Sequence, residues 1–123
     1  MIIKFVNQPV AAHFEGPKFR AITVRKGYEA SLKCESEGDI PLTITWFKDK
    51  IPLNTKEETR YELIETPTVN GVISEIIIRN SDRRDSSLFT CSSRNTYGES
   101  TSQLFSHLSL IKNYPFLLIV SLL

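Results

Sequence analysis

The stretch Asp85-Ser86-Ser87-Leu88-Phe89-Thr90-Cys91, together with the earlier Cys34 and Trp46, decides the fold of this chain. Trp46 follows Cys34 by 12 positions, and Cys91 follows Trp46 by 45. Each of the three lies where apolar and polar residues alternate, which is typical of half-buried β-strands. The alternation places both cysteines and the tryptophan on inward faces, so the sequence predicts three strands that share one core.

Shorter signals extend this pattern along the chain. Ile76 and Ile78 share one face of a further strand, and Asn70-Gly71 predicts a hairpin-like turn because both residues tolerate positive φ. Residues 82–86 are expected to form a single helical turn. Short strands separated by turns at intervals of about 8–12 residues favour an all-β sandwich or barrel.

Length and charge set the broad class of protein. The chain has 123 residues, a formal net charge of +1, 41% hydrophobic residues and 24% charged residues. These values indicate one globular domain with a sizeable core. The near-neutral charge argues against a nucleic-acid partner, because such binders usually carry a strong basic excess.

The Cys-Trp-Cys spacing is similar to that of an immunoglobulin sandwich. In that fold a disulfide joins the two sheets and the tryptophan packs against it, so the resemblance implies a Cys34–Cys91 disulfide beside Trp46. Residues 85–91 match the Asp-x-x-x-Tyr-x-Cys corner of these domains, with Phe89 at the tyrosine position and without its hydroxyl. The resemblance also implies a salt bridge between Arg60 and Asp85. The expected fold is all-β, an immunoglobulin-like (I-set) two-sheet Greek-key sandwich.

A closer resemblance links the chain to the Down syndrome cell adhesion molecule family of arthropods. It resembles most the constant immunoglobulin domain that precedes the fibronectin type III repeats. The more particular motifs are Asn-Gly-Val-Ile-Ser at residues 70–74 and Asp-Ser-Ser-Leu before Phe-x-Cys. The other matching segments are residues 18–27, 30–34, 46–49, 60–61 and 84–91, and Asn95 with Gly98. The resemblance spans about residues 9–103.

This resemblance implies a binding or spacing module of a cell-surface adhesion receptor. The family's roles are homophilic cell–cell recognition and axon guidance, so the implied partners are the same or related receptors. A disulfide implies an extracellular location, because such bonds persist in oxidising compartments. In the family other domains carry specificity, so this one is expected to act chiefly as a spacer. Candidates for lateral contacts are the outward residues Thr43, Thr45, Phe47, Glu75, Ile77 and Arg79.

Two other functions remain open. I-set domains also occur inside muscle proteins, where the cysteines stay reduced and the role is structural. The match to the family fades after Gly98, which instead suggests a secreted short isoform.

The residue types offer little for catalysis. The two histidines, His13 and His107, lie near opposite ends of the chain and are expected to be ordinary surface residues. Glu57-Glu58 and residues 82–85 are conceivable metal ligands, but solvated loop charge is the favoured interpretation. The sequence therefore predicts no enzyme, no cofactor and no metal site.

The expected domain boundaries leave a segment at each end. Residues 1–13 are interpreted as a lead-in, 14–110 as the domain and 111–123 as an apolar tail outside it. The tail is too short to span a bilayer, which takes about 20 residues, so membrane contact is expected through a parent receptor or, less readily, through the tail. I-set closing strands carry an apolar pair where Ser106 falls here, and Leu104, Leu108 and Leu110 offer a shifted alternative.

Overall fold

A computed structural model describes residues 8–109, which form two β-sheets packed face to face. The four-stranded sheet has the order β1 (His13–Phe14), β3 (Ala30–Glu37), β7 (Gly71–Ile78) and β6 (Tyr61–Pro67). The five-stranded sheet has the order β2 (Phe19–Arg25), β9 (Gly98–Ser109), β8 (Ser87–Asn95), β4 (Thr43–Lys48) and β5 (Ile51–Pro52). The predicted all-β immunoglobulin-like sandwich is confirmed.

The first two strands divide the start of the domain between the sheets. β1 pairs antiparallel with β3 in one sheet, whereas β2 pairs parallel with β9 in the other. Gly16 lies between them with a φ of 82°, in the left-handed region that glycine adopts without strain. The chain therefore crosses from one sheet to the other at this glycine.

The core lies between the sheets and follows the period-two pattern of the sequence. Along β3, Leu32, Cys34 and Ser36 are buried and alternate with exposed neighbours. The central cluster of buried residues is Leu32, Cys34, Trp46, Tyr61, Ile76, Ile78, Phe89, Cys91 and Leu104.

In the closing strand β9, alternate residues near the end of the described chain face the core. Leu104, Ser106 and Leu108 are 1%, 0% and 4% exposed, so all three point inward. A serine thus occupies the position at which an apolar residue is expected, with a leucine two residues away on each side.

The turn predicted at Asn70-Gly71 is confirmed, but the reason given for it is wrong. The Thr68 N–H donates to the Gly71 carbonyl oxygen at 2.9 Å and connects β6 to β7. Neither Asn70 nor Gly71 has positive φ. Glycine is needed because a Cβ at position 71 would lie 2.0 Å from the Ser36 carbonyl oxygen on the neighbouring strand.

The single helical turn expected within residues 82–86 is present as a 3-10 turn over Arg83–Asp85. No helix in residues 8–109 has the length and hydrophobicity needed to cross a membrane. The predicted apolar tail, residues 111–123, lies outside the described residues.

Candidate functional site

Cys34 and Cys91 lie in the core on facing strands of the two sheets. Their exposed fractions are 1% and 0%. Cys34 pairs in register with Ser74 on β7, and Cys91 with Trp46 on β4. The structure has both as free thiols, so the disulfide stays a prediction. Burial, reinforced by the adjacent Cys34, raises the pKa of the Cys91 thiol above its ordinary value, which disfavours the nucleophilic thiolate form.

Trp46 lies against this pair and also joins the two sheets. Its indole Nε1–H donates to the Ser74 Oγ across the core at 2.8 Å. A second bridge links Ser36 and Ser93, whose hydroxyl oxygens are 2.5 Å apart. No sequence motif marks these serines, although each occupies an inward position of a strand. They satisfy buried polar atoms that would otherwise destabilise the core.

Phe89, the residue at the tyrosine position of the corner motif, is fully buried. Its ring packs edge-to-face on Tyr61, with centroids 6.2 Å apart and an interplanar angle of 85°. The Tyr61 hydroxyl donates to Asp85 Oδ1 at 2.7 Å. A phenol from strand β6 of the opposite sheet thus brings a hydroxyl to the corner that Phe89 leaves without one.

The structure brings Arg60 and Asp85 together in a bidentate ion pair at the base of the sandwich. Arg60 Nη1 donates to Asp85 Oδ1 and Nη2 donates to Oδ2, each at 2.8 Å. Asp85 is fully buried, and the Asp82 N–H also donates to its Oδ2 at 2.8 Å. Burial by itself raises the pKa of Asp85, but the hydrogen bonds from Arg60, Asp82 and Tyr61 outweigh it and hold that pKa below its ordinary value.

The carboxylate of Asp85 is therefore fully engaged. Its oxygens accept bonds from a guanidinium, a phenol and a backbone N–H, so it has little capacity left to accept a substrate proton. Asp82, a conceivable metal ligand in the sequence, caps the 3-10 turn and pairs with Arg84 at 2.7 Å. The arrangement holds strands together rather than presenting reactive groups.

The outward residues considered for lateral contacts lie on opposite faces of the sandwich. Thr43 and Thr45 are exposed on β4 of the five-stranded sheet. Glu75 lies on β7 of the four-stranded sheet, and Arg79, just after it, pairs with Glu29 at 3.0 Å. Phe47 and Ile77, which are the apolar members of this set, are both half-buried. These residues therefore do not form one surface.

The two histidines are both partly exposed and contact different groups. His107 stacks on Phe105 with ring centroids 6.4 Å apart, and its Nε2 is buried. His13 Nε2 lies 3.2 Å from a Glu15 carboxylate oxygen and 3.5 Å from one of Glu37. His13 does lie at the surface, with 40% of its side chain exposed. Its neighbour Glu37 is 24 positions away in sequence and becomes adjacent only through strand pairing.

Comparison of sequences identifies relatives of this chain. The cell adhesion molecule Dscam1 of Drosophila melanogaster is 33% identical over 82% of this chain, and human DSCAML1 is 31% identical over 60%. The chain spans only 5% and 4% of the length of these relatives. Both relatives are cell adhesion molecules by name.

Solved structures show the same fold. Titin domain M7 superposes with a TM-score of 0.67 at 22% identity, covering 82% of this chain and 98% of that domain. The titin M3 domain gives 0.68 at 20% identity, covering 80% of this chain and 97% of that domain. The immunoglobulin I-set domain model matches residues 12–106, which include both sheets. The chain belongs to the immunoglobulin I-set family.

Proposed function

We propose that this chain is an extracellular module of a cell-surface adhesion receptor similar to Dscam1. The module has no enzymatic activity. It acts as a spacer between the receptor's recognition domains. The observation that carries the proposal is the 33% identity to Dscam1 over 82% of the chain. The receptor as a whole would bind copies of itself or related receptors and function in axon guidance. Within it, this domain would occupy the place before the fibronectin type III repeats.

Exposed apolar side chains at one end of the sandwich support the spacer role. Ile40 and Val69 are 82% and 100% exposed, and Val10 is 41% exposed. All three line one depression of about 480 Å³ at the end of the sandwich where the β3–β4 and β6–β7 loops meet. Consecutive domains of a receptor meet through such ends, whereas lateral recognition uses sheet faces. An adjacent domain of the same receptor would bury these side chains.

The cysteines support the extracellular location. Cys34 and Cys91 share one buried cluster between the sheets, where a disulfide would link β3 to β8. In the chain-entropy model, closing a loop of about 57 residues stabilises a domain by roughly 4 kcal/mol. We propose that this bond is present in the protein outside the cell.

Thiol titration of protein isolated from its native source tests the location. The extracellular proposal predicts no reactive thiol in denatured, unreduced protein and two after reduction. Two free thiols before reduction would instead support an intracellular structural module.

Sedimentation of the purified domain tests the spacer role. We expect a monomer at tens of micromolar, with beads that carry the domain remaining dispersed. The spacer role would be contradicted if the domain self-associates and if Thr45→Arg on β4 or Glu75→Arg on β7 abolishes that association. Such a result would show that the domain itself mediates homophilic contact.

A further inference from the structure

Three potential metal ligands converge where β1 meets the end of β3. His13 is the first residue of β1, Glu15 follows that strand directly, and Glu37 is the last residue of β3. His13 and Glu37 are direct partners in the antiparallel register. The ligand atoms of the three side chains lie within 4.8 Å of one another. The fold therefore brings together one imidazole and two carboxylates. The imidazole and one carboxylate belong to β1 or the residue after it, and the other carboxylate belongs to β3.

The backbone fixes the orientation of the imidazole. His13 Nδ1 lies 2.8 Å from the Ala11 carbonyl oxygen, and since that oxygen can only accept, Nδ1 carries the proton. In the neutral ring Nε2 then holds the lone pair, and Nε2 is the atom that faces both carboxylates. Metal-binding histidines are commonly oriented by a carbonyl in this way. The strand backbone is held as well, because Ser36 Oγ donates to the His13 carbonyl oxygen at 3.1 Å.

The distances from His13 Nε2 to the two carboxylates match those between ligands of one shared ion. Nitrogen and oxygen ligands at about 2.0–2.1 Å from a tetrahedral zinc ion lie about 3.3 Å from one another. His13 Nε2 lies 3.2 Å from Glu15 Oε1 and 3.5 Å from Glu37 Oε1. A charge-assisted N–H···O bond is shorter, about 2.7–2.9 Å.

The surroundings leave room for an ion and its water. The side chains of His13, Glu15 and Glu37 are 40%, 71% and 31% exposed. In the described part of the chain, neither glutamate pairs with a lysine or an arginine, so no fixed cation of that kind competes for the carboxylates. The His13 ring adds the nitrogen ligand that distinguishes zinc sites from the all-oxygen sites of calcium and magnesium.

We propose that His13, Glu15 and Glu37 bind a zinc ion, with water completing the coordination. The ion would fasten the two-residue strand β1 to the end of β3 at the edge of the four-stranded sheet. This inference does not depend on the adhesion role, since it rests on the geometry of these three side chains.

Calorimetric titration of the metal-free protein with zinc chloride tests the proposal. We expect one site per chain, at least about tenfold weaker binding in His13→Gln and in Glu37→Gln, and unchanged binding in Glu57→Gln, a matched exposed glutamate on a remote loop. Zinc should also raise the thermal midpoint of the native protein, because a ligand specific for the folded state stabilises it. That rise should disappear in the His13 and Glu37 variants.

Nuclear magnetic resonance of the imidazole nitrogens locates the ion. Zinc should shift the His13 Nε2 resonance and leave those of His107 in place, while calcium chloride should shift neither. Equal thermal midpoints of native and variant proteins in a chelator would show that the substitutions leave folding intact. The proposal is overturned if zinc fails to bind, if His107 shifts instead, or if His13→Gln binds as tightly as the native protein.

Discussion

At the scale of single residues, the most consequential group is the buried carboxylate of Asp85. An unpaired charge in a protein core is costly, and Asp85 is stabilised there by Arg60, by the Tyr61 hydroxyl and by the Asp82 N–H. Lys48 extends this cluster by donating to the Tyr61 hydroxyl oxygen at 2.9 Å. The base of the sandwich therefore depends on one anion shared among several donors.

Replacing Asp85 with asparagine should destabilise the domain by about 3 kcal/mol at pH 7, because a buried ion pair is broken and Arg60 loses its partner. The pKa of Asp85 is lower in the folded protein than in the unfolded chain. Its stabilisation is therefore complete above about pH 4 and is lost as the pH falls through the folded-state pKa. Urea unfolding at pH 7 and at about pH 2 should show the difference between native protein and Asp85→Asn shrinking in acid. A difference that stays constant with pH, or an equal effect of the exposed control Glu57→Gln, would contradict this assignment.

Two buried serines provide a matched comparison. Ser106 is fully buried, and its hydroxyl has no hydrogen-bond partner among residues 8–109, whereas the Ser36 hydroxyl bonds to Ser93 across the core. Ser106→Ala should stabilise the domain by about 1 kcal/mol, because it removes a desolvated, unpaired hydroxyl. Ser36→Ala should destabilise it by a similar amount, because it leaves Ser93 unpaired. Equal losses of unfolding free energy in the two variants would show that Ser106 has a partner.

At the scale of elements, the corner between β3 and β7 is set by backbone proximity. Gly71 pairs with Glu37 at the end of the ladder, and its Cα faces the β3 backbone. A side chain there would meet the Ser36 carbonyl oxygen and the Glu37 Cα rather than a flexible group. The end of β3 that carries Glu37 is therefore positioned by this glycine.

Gly71→Ala should accordingly cost at least about 3 kcal/mol of unfolding free energy, because two strand backbones must separate. Gly16→Ala is the comparison: its φ is 82°, but a Cβ there meets nothing within 4 Å. That variant should lose only about 1–2 kcal/mol, the cost of a left-handed residue. Chemical denaturation of both variants measures the difference. A milder effect at position 71 than at position 16 would show that the strands separate easily.

At the scale of the whole molecule, the two sheets are joined by polar bridges as well as by apolar packing. The Trp46–Ser74 and Ser36–Ser93 hydrogen bonds cross the core near Cys34 and Cys91. Such bonds stabilise the folded state by about 1 kcal/mol each. A covalent link between the cysteines would act differently, because its main effect is on the unfolded chain.

Oxidised protein should therefore be about 4 kcal/mol more stable than reduced protein, the value that the chain-entropy model gives for a loop of about 57 residues. Urea unfolding with and without reductant measures this difference. Cys34→Ala should match the reduced protein apart from the loss of sulfur packing, and reductant should not change its stability. Identical unfolding midpoints of native protein with and without reductant would show that no disulfide forms.

Much of the architecture could be predicted because it depends on local alternation. The inward positions of Cys34, Trp46, Phe89 and Cys91 follow from the period of two, and the 3-10 turn follows from the polar residues around Asp82. The reason for Gly71 could not be predicted, since it lies in the approach of a strand more than 30 positions away. The same holds for the Tyr61 hydroxyl, which reaches Asp85 from another strand.

The sequence by itself determined the fold and the family, because strand periodicity and the Cys-Trp-Cys spacing are properties of the chain order. It also determined that Ser106 would interrupt an apolar row. Only the tertiary structure decided that the outward residues divide between two sheets and that His13 meets Glu37. Strand pairing and sheet packing bring together residues that are far apart along the chain. The number of positions between two such residues does not indicate how close they lie in the folded protein.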